Sequence, residues 1–127
     1  MKHRKENVDN KFYIKTLSEK IIEIWNSSYH LDINQTKNSY LLVLKEKRDK
    51  KIPEYSQNYI KIHLSLKKTQ YNIDYYQISN SNLGNKTYKL INSINVEGTN
   101  DIKFIMEDLK KMMKNRNSND SLPIFPL

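Results

Sequence analysis

The sequence predicts an α+β fold: a four-stranded antiparallel sheet with an N-terminal and a C-terminal helix packed on one face, in the order helix, four strands, helix. Three observations carry this. Near both ends apolar residues recur at three- and four-residue steps (Ile14, Leu17, Ile21, Ile24; then Ile102, Ile105, Met106, Leu109, Met112, Met113), the spacing of an amphipathic helix. Between them "YIKIHLSLKK" at 59–68 alternates strictly, Ile60, Ile62, Leu64 and Leu66 against Tyr59, Lys61, His63, Ser65 and Lys67, which is the period of a half-buried strand. The links between segments are short, and short links favour antiparallel neighbours.

The 127 residues suit one domain with one core. Residues 1–9 read as a flexible basic leader, 10–115 as the α+β body, and 116–127 as a polar linker and apolar tail. The first helix is read over 10–28, with Trp25 beside its stripe. Its start is open: "TLSE" at 16–19 can form a capping box, while Asp9 or Asn10 can cap a longer helix. "YHLDINQTKNS" reads as a loop. "YLLVL" at 40–44 is a strand apolar on both faces, which calls for a central position or a covered second face.

The cluster "KEKRDKK" at 45–51 is a loop closed by Ile52-Pro53, because proline has no ladder donor. The alternating strand then pairs with "YNIDYYQIS" at 71–79. With Lys68 and Thr69 at the tip, Leu66 opposes Tyr71, Leu64 opposes Ile73 and Ile62 opposes Tyr75, while Lys61 opposes Tyr76 and His63 opposes Asp74. "NSNLGN" is a turn, and "KTYKLINSI" at 86–94 a fourth strand with Tyr88, Leu90 and Ile94 inward. Thr99, Asn100 or Asp101 caps the last helix.

Cysteine is absent, which excludes a disulfide framework and thiol chemistry. No stretch approaches the roughly 18 apolar residues of a membrane span, and the N-terminus lacks a signal peptide's apolar run, so a cytoplasmic protein without a membrane partner is expected. The formal charge of +8 points to an anionic partner, nucleic acid first. The same charge also follows from base composition: the chain has two glycines, three prolines and no alanine among many Lys, Asn, Ile and Tyr, the bias of an AT-rich gene. Its distribution therefore carries more than its sum. Residues 37–68 hold nine basic side chains against three acidic, whereas 1–36 hold six against five. Lysine dominates over arginine, which suits point contacts to phosphate better than bidentate reading of guanine.

Lys45, Lys47, Arg48, Lys50, Lys51, Lys61, Lys67 and Lys68 are the candidate phosphate contacts, with Tyr59 and Tyr76 as stacking residues and Lys89 on the same face. Cations with interleaved rings suit unpaired bases of any sequence, at about 1–3 kcal/mol per stacked base. A solvated antiparallel sheet has the same composition, and a charge run is most often a solvated loop. The basic loop feeds directly into the strand that carries Tyr59 and Lys61, which favours one continuous surface.

No catalytic set emerges. His63 with Asp74 is half of a general-base arrangement and lacks a nucleophile. Glu107 and Asp108 are adjacent on a helix, His3, His30 and His63 lie in three elements, and Gly84 and Gly98 are isolated. No enzyme activity, metal or other cofactor is expected, and the methionines at helical spacing read as core filler.

"DSLPIFPL" at 120–127 resembles two kinds of bacterial replication peptide: the acidic tails of single-stranded DNA-binding proteins, which end in Pro-Phe, and the "SLPL"-type peptides that dock on the sliding clamp. The resemblance covers these eight residues, with Phe125 followed by Pro126 and Leu127 and with Asn119 where the clamp peptide leads with glutamine. It implies that Leu122, Ile124 and Phe125 fill the apolar pocket of a protein partner. The alternative is a tail folded over its own core or paired with another copy.

The expectation is an accessory nucleic-acid-binding protein favouring single strands, of the type found in phages, plasmids and other mobile elements. The rival is a protein-binding module, an inhibitor of a host or competitor enzyme or an oligomerising adaptor, that uses "YLLVL" and the tail. An open sheet edge also invites a homodimer.

Overall fold

Every second residue of the central ribbon is buried, as its alternation requires: Ile60, Ile62 and Leu64 are fully enclosed. The chain, obtained as a computed structural model that describes residues 2–36, 39–47, 55–81 and 83–121, runs α1 (Lys2–Trp25), β1 (Tyr29–Gln35), β2 (Ser39–Glu46), β3 (Tyr55–Ser65), β4 (Gln70–Asn80), β5 (Lys86–Glu97) and α2 (Ile102–Ser121). The class is α+β with an antiparallel sheet and two helices, and the sheet has five strands in sequence order rather than four. Among the described residues no helix is long and apolar enough to cross a membrane.

The additional strand is β1, expected to be a loop. Tyr29, Leu31 and Ile33 do alternate with His30, Asp32 and Asn34, but the Asp and Asn residues depress strand propensity and hid the period. Tyr29 is buried and Leu31 packs against the core. With β1 in place, β2 is interior, which accounts for its two apolar faces. Leu42 and Leu44 enter the core, while Val43 is buried on the opposite face between Asp32 and Lys61 of the flanking strands.

The β3–β4 register differs from the expected one by two residues. Leu64 pairs with Tyr71, Ile62 with Ile73 and Lys61 with Asp74. The tip is a four-residue turn, Leu66 to Thr69, rather than a two-residue one. Thr69 takes φ 53° and the Lys68 amide donates to Ser65 Oγ at 3.2 Å. Since the shift is even, the side chains of the paired residues keep their expected faces, while Leu66, expected inward opposite Tyr71, falls in the turn. In β5 the departure is larger. Tyr75 pairs with Asn92 but Tyr76 with Leu90, so Ile91 is the extra residue of a β-bulge. Beyond it Tyr88 and Leu90 turn to the outer face, where inward positions were expected, while Ile94 stays inward against Ile73.

One core cluster joins Ile14, Leu17 and Ile21 of α1, Ile105, Met106, Leu109, Met112 and Met113 of α2, and the inward residues of β1 to β4. Both helices therefore lie on one face of the sheet. Thr16 forms no capping box. The helix runs through it, and Thr16 Oγ1 donates to the Phe12 carbonyl at 2.9 Å. Helix α1 reaches back to Lys2, across the expected leader, and α2 continues to Ser121, across most of the expected linker. Ile24 is exposed and Trp25 packs against the core in its place. Of the three candidate caps for α2, Asp101 serves: its Oδ1 accepts from the Lys103 amide at 3.0 Å.

The core also encloses polar groups, each with a partner. Tyr71 donates to Asp108 Oδ2 at 2.5 Å, tying β4 to α2, and Tyr13 donates to the Asn100 carbonyl, tying α1 to the start of α2. Burial pushes both phenols above the ordinary tyrosine range, helped by Asp108 at Tyr71 and by Asp101 at Tyr13. Asn58, 1% exposed, donates its backbone amide and Nδ2 to Glu46 Oε1 at 3.1 and 3.0 Å and accepts from the Tyr75 hydroxyl at 2.9 Å.

Candidate nucleic-acid interface

The helices leave the other face of the sheet open, and the strand registers order it into rows. One row runs His30, Lys45, Tyr59, Tyr76, Leu90; the next runs Asp32, Val43, Lys61, Asp74, Ser93; a third runs Asn34, Leu41, His63, Asn72, Asn95. Alternation puts these residues together on the pleat side opposite Ile60 and Ile73, with Leu90 brought to that side by the bulge.

At the centre, the rings of Tyr59 and Tyr76 stack with centroids 5.8 Å apart and planes inclined by 24°. Lys61 Nζ lies 5.2 Å from the Tyr76 centroid, close enough for a cation–π contact. Lys45, opposite Tyr59, makes an ion pair with Asp32 at 2.9 Å, and that carboxylate holds the ammonium above its ordinary range. Both partners are about half exposed, so the pair adds little stability; it does remove a free cation from the face. Asp74, opposite Lys61, accepts from Ser93 Oγ at 2.6 Å. The centre is thus aromatic, with its charges nearly balanced.

The structure brings Lys45, Tyr59, Lys61 and Tyr76 together as expected and sets Lys47, Lys67, Lys68 and Lys89 apart from them. Lys67 and Lys68 sit in the β3–β4 turn and Lys47 at the opposite end of β3, an 11-residue strand that spans roughly 35 Å. Lys47 Nζ donates to the Asn26 carbonyl of the α1–β1 turn at 2.8 Å. Lys68 borders an open cleft of about 360 Å³ at the end of the third row, lined also by His63, Ser65, Asn72 and Asn95. Lys89 does not join the face: the bulge sets it opposite Gln77, on the pleat side that carries Asn58. His63 faces Asn72, so the His63–Asp74 pair is not formed. Arg48, Lys50 and Lys51 of the basic loop and Leu122, Ile124 and Phe125 of the tail lie outside the described residues.

Sequence reasoning missed Lys86, Tyr88 and Leu90 as outer-face residues. The signal was the adjacent apolar pair Leu90-Ile91, which breaks the alternation of a strand and marks a bulge. Among the described residues no group of three or more His, Asp or Glu is arranged to hold a metal. Comparison with protein-family models, curated proteins and solved structures finds no match.

Proposed function

We propose that this chain binds single-stranded nucleic acid, with little sequence preference, across the open face of its sheet. The observation that carries the reading is the stacked Tyr59–Tyr76 pair with Lys61 over it, on a face that neither helix covers. The ring pair presents an extended π surface on which a base of any identity can stack, and Lys61 is positioned to neutralise the adjoining phosphate. Lys67 and Lys68 extend the backbone path at one end. Arg48, Lys50 and Lys51, which lie between β2 and β3 in the chain, belong to the same proposal. Lys45 contributes less, since Asp32 already neutralises it.

The test is fluorescence anisotropy of a labelled oligothymidylate at low salt. The double variant K61E/K67E is expected to weaken binding at least tenfold, and the slope of log K against log salt should fall by about 0.7 for each phosphate that is no longer neutralised. Equal affinity in the variant and the native chain rejects this face.

A second reading, a protein-binding module, draws on one observation: Tyr88, Leu90 and Leu83 are 67%, 62% and 86% exposed around the β4–β5 hairpin. It predicts recovery of a specific protein partner and no anisotropy change with oligonucleotide.

A further inference from the structure

Strand β5 ends the sheet, and among the described residues no strand pairs with its second side. It has 12 residues, more than any other strand, and almost all of them are exposed. A long edge with apolar side chains and unpaired backbone groups is a template for another strand. Two properties of β5 together identify which strand it accepts.

The first is charge. Lys86 opens the strand and Glu97 closes it. Two copies meeting antiparallel about a two-fold axis between Ile91 and Asn92 set each Lys86 opposite the other copy's Glu97, at both ends of the contact. Tyr88 then faces Asn95 and Leu90 faces Ser93.

The second is the bulge. In a regular strand all residues that aim their N–H and C=O groups to one side have the same parity. A self-pairing that opposes Lys86 to Glu97 would therefore match an outward-aimed residue with an inward-aimed one. The extra residue at Ile91 reverses the parity between the two halves. Lys86, Tyr88 and Leu90 in the first half and Ser93, Asn95 and Glu97 in the second all pair with even-numbered residues of β4, so they share one face and one backbone orientation. A bulge ordinarily blunts an edge against foreign strands; here it fits the edge to a copy of itself.

We propose that β5 is the dimer interface of this chain, pairing antiparallel with a second copy about an axis between Ile91 and Asn92 to continue the sheet across both. The inference stands independently of what the outer face binds.

Sedimentation equilibrium on the full chain should give twice the 15.2 kDa chain mass. A monomer at every concentration up to roughly 100 µM overturns the proposal. K86E and E97K each set like charges opposite one another at both ends, and each is expected to weaken the dimer about tenfold. An equimolar mixture of the two restores opposite charges and should recover it. If both variants dimerise like the native chain, the register is wrong. Because the chain contains no cysteine, N92C carries a single thiol that the axis brings beside its own copy. Oxidation should cross-link N92C and leave I33C, on the β1 edge, uncross-linked; the reverse result moves the contact to the other edge and rejects the proposal.

Discussion

Asn58 is the residue whose chemistry is least expected from its position. Asparagine is a poor strand former, yet it occupies an inward site of β3 with 1% of its surface exposed. Its partners explain it. Glu46, at the end of β2, carries a carboxylate on the core side, and Asn58 supplies two donors to that carboxylate while its own Oδ1 takes the Tyr75 hydroxyl and, at 3.4 Å, a weaker contact from Gln77. Removing the side-chain amide takes one of the two donors from a part-buried carboxylate, the backbone N–H remaining, and takes the acceptor from a buried hydroxyl. N58A is therefore expected to cost about 2–4 kcal/mol, because loss of a bond to a charged group and a small cavity add together. Urea unfolding measures it against N95A on the open face, where about 0.5 kcal/mol or less is expected. A loss under about 1 kcal/mol for N58A would mean that water replaces the amide without penalty. The pleat side of Asn58 follows from the parity it shares with Ile60 and Ile62, but the strand was read as starting at Tyr59, and the partners Glu46 and Tyr75 come from other strands, which no single-strand pattern contains.

At the scale of elements, strand faces were more legible than strand ends. The alternation of β3 and β4 and the apolar stripe of α2 could be read directly, because burial on one side imposes a period of two on a strand and of 3.6 on a helix. Turn geometry carries no such period. The β3–β4 tip was expected at Lys68 and Thr69, whereas the turn takes in Leu66 to Thr69 and gives Thr69 a positive φ of 53°. Threonine is strained there, since its branched Cβ crowds the backbone in the left-handed region. T69G should accordingly raise stability by about 1 kcal/mol, measured as a higher urea midpoint at unchanged slope. The Thr69 carbonyl accepts from the Gly98 amide at 2.9 Å, which links this turn to the end of β5. Glycine keeps that bond, so a lowered midpoint would show that the threonine side chain has a stabilising role that outweighs its strain. The bulge of β5 and the polar strand β1 escaped for a related reason: each interrupts the simple period, one by inserting a residue and the other by filling alternate positions with Asp and Asn.

For the molecule as a whole, net charge proved a weaker guide than topology. The chain carries +8, yet Asp32 and Asp74 stand beside Lys45 and Lys61 on the open face, and Lys67 and Lys68 sit at the far end of β3 from Lys47. Which cations face which anions depends on pairing across strands, and no single-strand pattern contains that information. A meander of five strands does make one consequence firm. All strands are consecutive, so β5 forms an edge and the Tyr59–Tyr76 pair lies inside the sheet next to it, on one face. Joined through β5, two copies would carry both ring pairs on the same side of one sheet. A single nucleic-acid strand long enough to cross both faces would then bind the second one intramolecularly, at an effective concentration far above that in solution. Comparing an oligothymidylate sized for one face with one long enough for two should give an affinity ratio of more than about tenfold for the native chain. The ratio should fall to about twofold, the statistical factor alone, in K86E and in E97K, and return in their equimolar mixture. Taking the ratio within each variant cancels the change in net charge that the substitution brings. A ratio that stays high in both variants would mean that the long strand extends along one copy rather than across two, and a ratio near two in the native chain would mean that the two faces do not act on one strand.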